Sequence, residues 1–384
     1  MKSSIFNHKI KAFPFACLVA TLVMCTAFAA SPDSKPLAFA VLLAGITVIF
    51  AFVRSAACTL LVTIPAALIG LYTGSIEIAV LIGSASLAIG IGAFLIRMLK
   101  HPAILLVCLP ISYLLAFFAG ASPVRALLIL IYVPACIVCA CVTGMKKERV
   151  FSICAVSVTL GVCLTVAATV ALLVHYGSVG ENPFVYAADK LFEFLVKYYT
   201  EEHLALAEKY AAAGIDTSKL GLTAYDARLY TVSVFGILPA LAVIAANGIA
   251  FVSHRIHITL LDNAGLLDFS DVRGIVFLMS PASAIIYIVA YFVMTVCSYS
   301  NSETAELIAQ NVYLILLPGL FITGVFFLIG RIRAGKRFVL WIVLVVLIAF
   351  MSLNLALAVV AFIGSSFIII TYFRRMMSSK DEDE

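Results

Sequence analysis

The residues from Leu229 to Val252, LYTVSVFGILPALAVIAANGIAFV, contain no charged side chain, with Arg228 before them and His254 and Arg255 after. An apolar α-helix of about 17 to 25 residues crosses a hydrocarbon core roughly 30 Å thick, because it satisfies its own backbone hydrogen bonds where no water can. The stretch therefore reads as one membrane span. The same reading applied outward finds eleven more: Ala12 to Ala30, Leu37 to Val53, Ala56 to Tyr72, Ile76 to Ile96, Pro102 to Gly120, Val124 to Thr143, Val150 to His175, Gly274 to Cys297, Leu307 to Ile329, Phe338 to Ser352 and Leu357 to Phe373.

Composition agrees with that reading. Of 384 residues 64% are hydrophobic and 12% charged, and mean hydropathy is +1.15. A soluble surface needs roughly 25% charged residues, so water is not the main solvent of this chain. The expected fold class is all-α, a polytopic transmembrane helix bundle of about twelve spans with one amphipathic helix in a large outer loop.

The last two spans are one inference. Phe338 to Phe373 is a single apolar run of 36 residues, about 54 Å as one straight helix, which is too long for one crossing. Basic clusters flank it (Arg331, Arg333, Lys336 and Arg337 before; Arg374, Arg375 and Lys380 after), so a hairpin turning near Asn354 leaves both on one side. With twelve spans and a cytoplasmic N-terminus, the inner segments hold 18 of the 25 Lys and Arg, and the faces carry +10 inside and −5 outside. The net charge of +5 is then an insertion signal and an attraction to anionic lipid, not a nucleic-acid patch. The expected location is the cell inner membrane, multi-pass, with both termini cytoplasmic. Lys2, Lys9 and Lys11 ahead of an apolar run and Ala27-Phe28-Ala29 also fit a cleaved signal peptide, which would leave the new N-terminus outside.

Four regions follow: an N-terminal membrane region over 1–175, an extracytoplasmic loop over 176–228, a C-terminal membrane region over 229–377 and an acidic cytoplasmic tail over 378–384. In the loop, Ala188, Leu191, Leu195 and Tyr198 recur at helical spacing opposite a charged stripe of Asp189, Glu193, Lys197 and Glu201. Pro183 suits the start of this helix, Gly214 its stop, and Glu193 and Lys197 an i,i+4 pair. Such a helix lies along the outer membrane surface or caps the bundle; the sharper alternative is a lid over an outward cavity. His254 to Arg273 reads as the one sizeable inner loop.

Signals of chemistry are sparse. No ionisable group falls near a span midplane: Glu77, Arg125 and His175 lie at outer span ends, Arg54 and Arg97 at inner ends. That argues against a carboxylate proton relay and a voltage sensor. Asn247, Asn311 and Asn354 are mid-span amides that need partners, in a ligand or in another helix. Small residues recur every fourth position in Ala66-Gly70-Gly74, Ser86-Gly90, Ala88-Gly92 and Ser157-Gly161-Thr165-Thr169, as in helix-packing seams or a flat face for a partner. All ten cysteines fall in expected spans, and Cys136, Cys139 and Cys141 have no accompanying His, so they read as apolar packing. Gly330 to Arg337 has the GxxxxGK spacing of a phosphate loop but lacks its Ser or Thr and a preceding strand.

In the C-terminal half the order of features is distinctive. It runs Leu238-Pro239, a basic turn at His254-Arg255, Ser280-Pro281, Asn311, Leu317-Pro318-Gly319 with Gly324, and a hairpin closed by Arg374-Arg375. Over roughly Phe184 to Met377 this resembles the YybS-like family of bacterial multi-pass membrane proteins, which is distantly similar to the S components of energy-coupling-factor transporters. The resemblance implies capture of a small molecule within the bundle, with separate ATPase and coupling subunits as partners. The chain departs from S components in being about twice their length.

The leading functional expectation is transport-related binding of a small, weakly charged solute, with Asn247, Asn311, Glu77 and Arg125 as candidate ligand-binding residues. A scaffold or assembly factor that recruits protein partners through its small-residue faces and its inner loop is the second reading. A membrane enzyme acting on lipid-linked substrates, with Glu77, Arg125, His203 or Arg228 converging at the outer surface, is the third. No catalytic residue, metal or cofactor is assigned; the expected partners are membrane lipids and membrane or ATPase subunits, with no nucleic acid.

Overall fold

The computed structural model describes residues 76–100, 132–145, 149–176, 182–215, 223–266, 279–300, 302–334 and 352–380, together with Val19 and Leu22. These form eight helices and no strand: α1 (Ile76–Leu99), α2 (Tyr132–Gly144), α3 (Arg149–Tyr176), α4 (Pro183–Ala212), α5 (Ala224–Asn263), α6 (Pro281–Ser300), α7 (Glu303–Ala334) and α8 (Leu353–Lys380). Six of them, α1, α3, α5, α6, α7 and α8, are long and apolar enough to cross a membrane, and α2 is a shorter apolar helix. The expected twelve spans are therefore not supported: six are found among the described residues. The spans expected at 37–53, 56–72 and 102–120, the first limb of the terminal hairpin and nearly all of 12–30 lie outside the described residues. The second limb begins at Leu353, where the turn was expected, with the Ser352 hydroxyl accepting from the Leu355 N–H. α8 continues to Lys380, three residues into what was expected to be the solvated tail.

The chain divides into two compact units. One holds Met1–Ala171 and Ala245–Ile275, the other Leu172–Ile244 and Val276–Glu384, so α5 contributes residues to both. In the first, α1 is buried from Gly83 to Ile96. Its serines return their hydroxyls to their own helix, Ser84 to Val80 O at 2.6 Å and Ser86 to Ile82 O at 2.8 Å, so they can be buried without an outside partner. Small residues let the α5 backbone come close: a Cβ on Gly90 would stand 2.8 Å from Ser253 O and 2.9 Å from Ile256 Cβ. The Ser86-Gly90 repeat is thus a packing seam within the chain.

The second unit is built around α6, α7 and α8. Ala284, Tyr287, Leu320, Ala361 and Ile368 form its buried centre, and Tyr287 stacks on Tyr313 with ring centroids 5.0 Å apart. The α7–α8 crossing depends on two glycines. A Cβ on Gly324 would collide with Val360 O, and one on Gly364 with Leu320 O and the Gly324 backbone. Without a strong hydrophobic drive between helices in lipid, this close backbone approach is a principal source of association energy.

The outer-loop helix is present, and its ends are those the sequence gives reasons for. Asn182 accepts from the Phe184 N–H at 3.0 Å, Pro183 occupies the first helical position, and Gly214 adopts φ +76° just past the end. Its register differs from the expected one. Leu191 and Tyr198 are exposed, while Phe192, Tyr199 and His203 pack against α5: Phe192 edge-on to Phe235 at 5.8 Å, Tyr199 to Tyr230 at 4.9 Å, His203 beside Tyr230 at 6.2 Å. Partners advance along α5 as they retreat along α4, so the two helices run antiparallel. The ion pairs also differ, with Lys190 on Glu193 at 2.7 Å and Lys197 on Glu201 at 4.0 Å in place of Glu193 on Lys197. The Tyr198 hydroxyl donates to Glu202 at 2.8 Å.

Candidate functional site

Asn311 is the expected site residue whose bonding is fully visible. Its Oδ1 accepts the Ala240 N–H at 3.0 Å, and its Nδ2 donates to Gly236 O at 2.8 Å and to Leu307 O at 2.9 Å. Gly236 O and Ala240 N–H are the pair that a regular α-helix joins to each other. The residue between them that matters is Pro239, which has no N–H and whose ring disfavours a regular helix around Phe235 O. The Asn311 carboxamide thus serves α5 where Pro239 perturbs its ladder. Gly236 belongs to the same arrangement, since a Cβ there would meet the Leu307 side chain. Asn311 is an interhelical tie between α7 and α5, and its amide is occupied by protein.

Asn247 has different neighbours. On α5, Asn247, Ala250, His254 and His257 follow one another at spacings of three and four and lie along one helix face. Ala250 and His257 are fully buried and His254 nearly so. Neither ring nitrogen of His257 has a hydrogen-bond partner. Arg97, in the last turn of α1, lies near enough to act on His257 electrostatically, and its guanidinium rests against Gly144, where a Cβ would stand 2.7 Å from it. A buried polar group without a partner costs about 1–3 kcal/mol, so such groups are rare, and a titratable one inside a membrane helix is a candidate functional group. The arrangement can offer a hydrogen-bond donor and acceptor to a small guest near a positive charge.

Of the other expected site residues, Glu77 is not brought to this place. Glu77 is the second residue of α1, twenty positions and about 30 Å of helix from Arg97. Asn311 belongs to the other unit. Arg125 lies outside the described residues. Of the residues required by the enzyme reading, His203 and Arg228 fall in one unit and Glu77 in the other.

The sequence missed the histidines because His254 and Arg255 resembled the end of a span. The first ten residues of the inner loop expected over His254 to Arg273 are instead the last turns of α5, which buries Ile256, His257, Ile258, Leu260 and Leu261 before Gly265, at φ +65°, follows its end; positions 267–273 lie outside the described residues. The signal that could have found this is Val252, Ile256 and Leu260, which continue the apolar spacing past the basic pair.

Gly330 to Ala334, the first part of the GxxxxGK spacing, lie inside α7, and the preceding residues are helix and not strand. Cys136 and Cys139 are buried and Cys141 is exposed. Among the described residues no cluster of three or more His, Cys, Asp or Glu could hold a metal ion. In α3 the Ser157-Gly161-Thr165-Thr169 stripe is open at its centre, where a Cβ on Gly161 would meet no heavy atom within 4 Å. Compared with known proteins, the chain matches no family model, no curated protein and no solved structure. What is established is that the described residues are all-helical and that six apolar helices among them mark a membrane protein.

Proposed function

We propose that this is a multi-pass inner-membrane protein that binds a small, weakly charged solute as part of a transport process, in keeping with its resemblance to the YybS-like family. The observation that carries the reading is His257: a fully buried imidazole, with both nitrogens unpartnered, on the face of α5 that also presents Asn247. A guest with a hydrogen-bond acceptor or a single carboxylate would satisfy the imidazole and be favoured by Arg97, while the apolar surroundings reject heavily charged molecules. The Pro239 and Asn311 arrangement on the same helix supports it further. Transporters use interrupted membrane helices whose freed backbone groups are met from neighbouring helices, and such helices can move. Coupling to ATPase subunits and cytoplasmic termini belong to the same proposal.

Solutes extracted from purified wild-type protein and from His257→Leu, compared by mass spectrometry, test it. A small acceptor-bearing or monoanionic molecule enriched in the wild type and missing from the variant supports the proposal. Identical profiles reject it.

A scaffold is the second reading, and one observation favours it: the open small-residue stripe of α3, whose outer half exposes Val162, Val166, Val170 and Val174. A partner helix would fit that flat face. Cross-linking from Gly161→Cys in native membranes would separate the readings, since a single discrete adduct with another protein is expected only for the scaffold.

A further inference from the structure

The circumference of α4 has three sectors. Phe192, Tyr199 and His203 face α5. Asp189, Lys190, Glu193 and Lys197 form a charged sector. Between them Phe184, Leu191, Phe194 and Tyr198 make an apolar flank that none of the described residues covers, with Phe194 63% exposed and stacked on Tyr198 at 6.5 Å. A water-facing helix normally has no such flank.

Two observations say what covers it. The first is depth. From Tyr230 to Phe235, α5 enters its uncharged stretch, and the matching positions on α4 run from Tyr199 back to Phe192. The part of α4 before Phe192 is therefore the part beside the apolar run of α5. The second is charge. From Pro183 to Tyr198 the two acids and two bases cancel, with Lys190 paired to Glu193 and Lys197 to Glu201 of the next turn, whereas Glu201, Glu202, Glu208 and Lys209 leave the remainder at −2. A segment that lies against lipid must be neutral or have its charges paired and turned away; one in water need not.

We infer that the first half of α4, Pro183 to Tyr198, sits among the acyl chains of the phospholipid leaflet that α5 enters, with Phe184, Leu191 and Phe194 against lipid. The half from Glu201 onward stands in water. The loop helix is then a partly inserted hairpin arm of α5 instead of a helix lying flat on the surface. This inference does not depend on the solute-binding reading.

The chain has one tryptophan, Trp341, so a Trp341→Phe background leaves room for a single reporter. Phe194→Trp and Tyr210→Trp are each placed in that background and reconstituted in vesicles of phosphatidylcholine brominated near the headgroup end of its acyl chains. The Phe194→Trp reporter should lose most of its emission to the brominated lipid and be shielded from acrylamide, and the Tyr210→Trp reporter should show the reverse. Acrylamide access at Phe194→Trp would place the flank in water and overturn the inference. Shielding from both quenchers would place a protein partner there and overturn it equally. Leu191→Trp, on the same flank, gives the same reading if the first reporter variant does not fold.

Discussion

The carboxamide of Asn311 accepts the backbone N–H of Ala240 at 3.0 Å and returns a donor to Gly236 O, so a side chain from α7 holds together the helix that Pro239 disturbs. The contact makes the shape of α5 depend on α7. It also makes Asn311 a poor ligand group, because all three of its hydrogen bonds end on backbone or accept from it.

Asn311→Leu should therefore destabilise the protein by roughly 1–2 kcal/mol, since membrane-buried side-chain bonds average about 0.6 kcal/mol each and several are lost together. In a Pro239→Ala background, where α5 can close its own ladder, the same substitution should cost less. Unfolding in mixed detergent micelles measures all four corners of the cycle. An unchanged cost in the second background would show that Pro239 and Asn311 act independently.

Gly324→Ala and Gly364→Ala should each disrupt the α7–α8 crossing, by about 1–3 kcal/mol or more, because the added methyl meets carbonyl backbone that cannot rotate away. Gly161→Ala and Gly248→Ala meet nothing within 4 Å and sit in helices, so they should be neutral or slightly stabilising. Thermal unfolding of the four variants gives the comparison, and equal losses at all four would refute the crossing geometry.

Tyr230 carries the contact with both Tyr199 and His203. Tyr230→Ala should loosen α4 by about 0.5–1.5 kcal/mol without unfolding the rest, as expected for lost aromatic pairs. Hydrogen exchange should then rise in α4 and stay unchanged in α6 to α8. Faster exchange throughout would mean that α4 is integral to the fold.

His257 differs from these in what its loss should do. An imidazole without partners contributes little to stability, so His257→Leu should hold or raise the unfolding temperature, while His257→Lys should lower it by burying a second cation near Arg97. A strongly destabilised His257→Leu would reveal a structural role.

Length and hydropathy made the membrane class and six of the helices legible, because apolar runs between charges are a one-dimensional signal. The register of α4 was not. Leu191-Phe192 and Tyr198-Tyr199 are adjacent apolar pairs, so two stripes one residue apart fit the sequence equally well, and only Phe235 and Tyr230 decide between them. The end of α5 was misread for a related reason. A basic pair usually marks the membrane surface, but here His254 and His257 are buried within α5. Asn311 was visible as an amide in need of partners, while the identity of those partners depends on how α5 and α7 meet. Gly364 gave no signal of its own, since its importance lies in the backbone of another helix.

The most direct measurement is thermal stability of the detergent-purified protein against a panel of vitamins, nucleobases, amino acids and lipid precursors, run in parallel on His257→Leu. A ligand at a hundred times its Kd should stabilise the wild type by about 2.7 kcal/mol. The account predicts a selective upward shift for one chemical class, lost in His257→Leu. A shift of the same size in that variant, or no shift for any compound in the wild type, would contradict it.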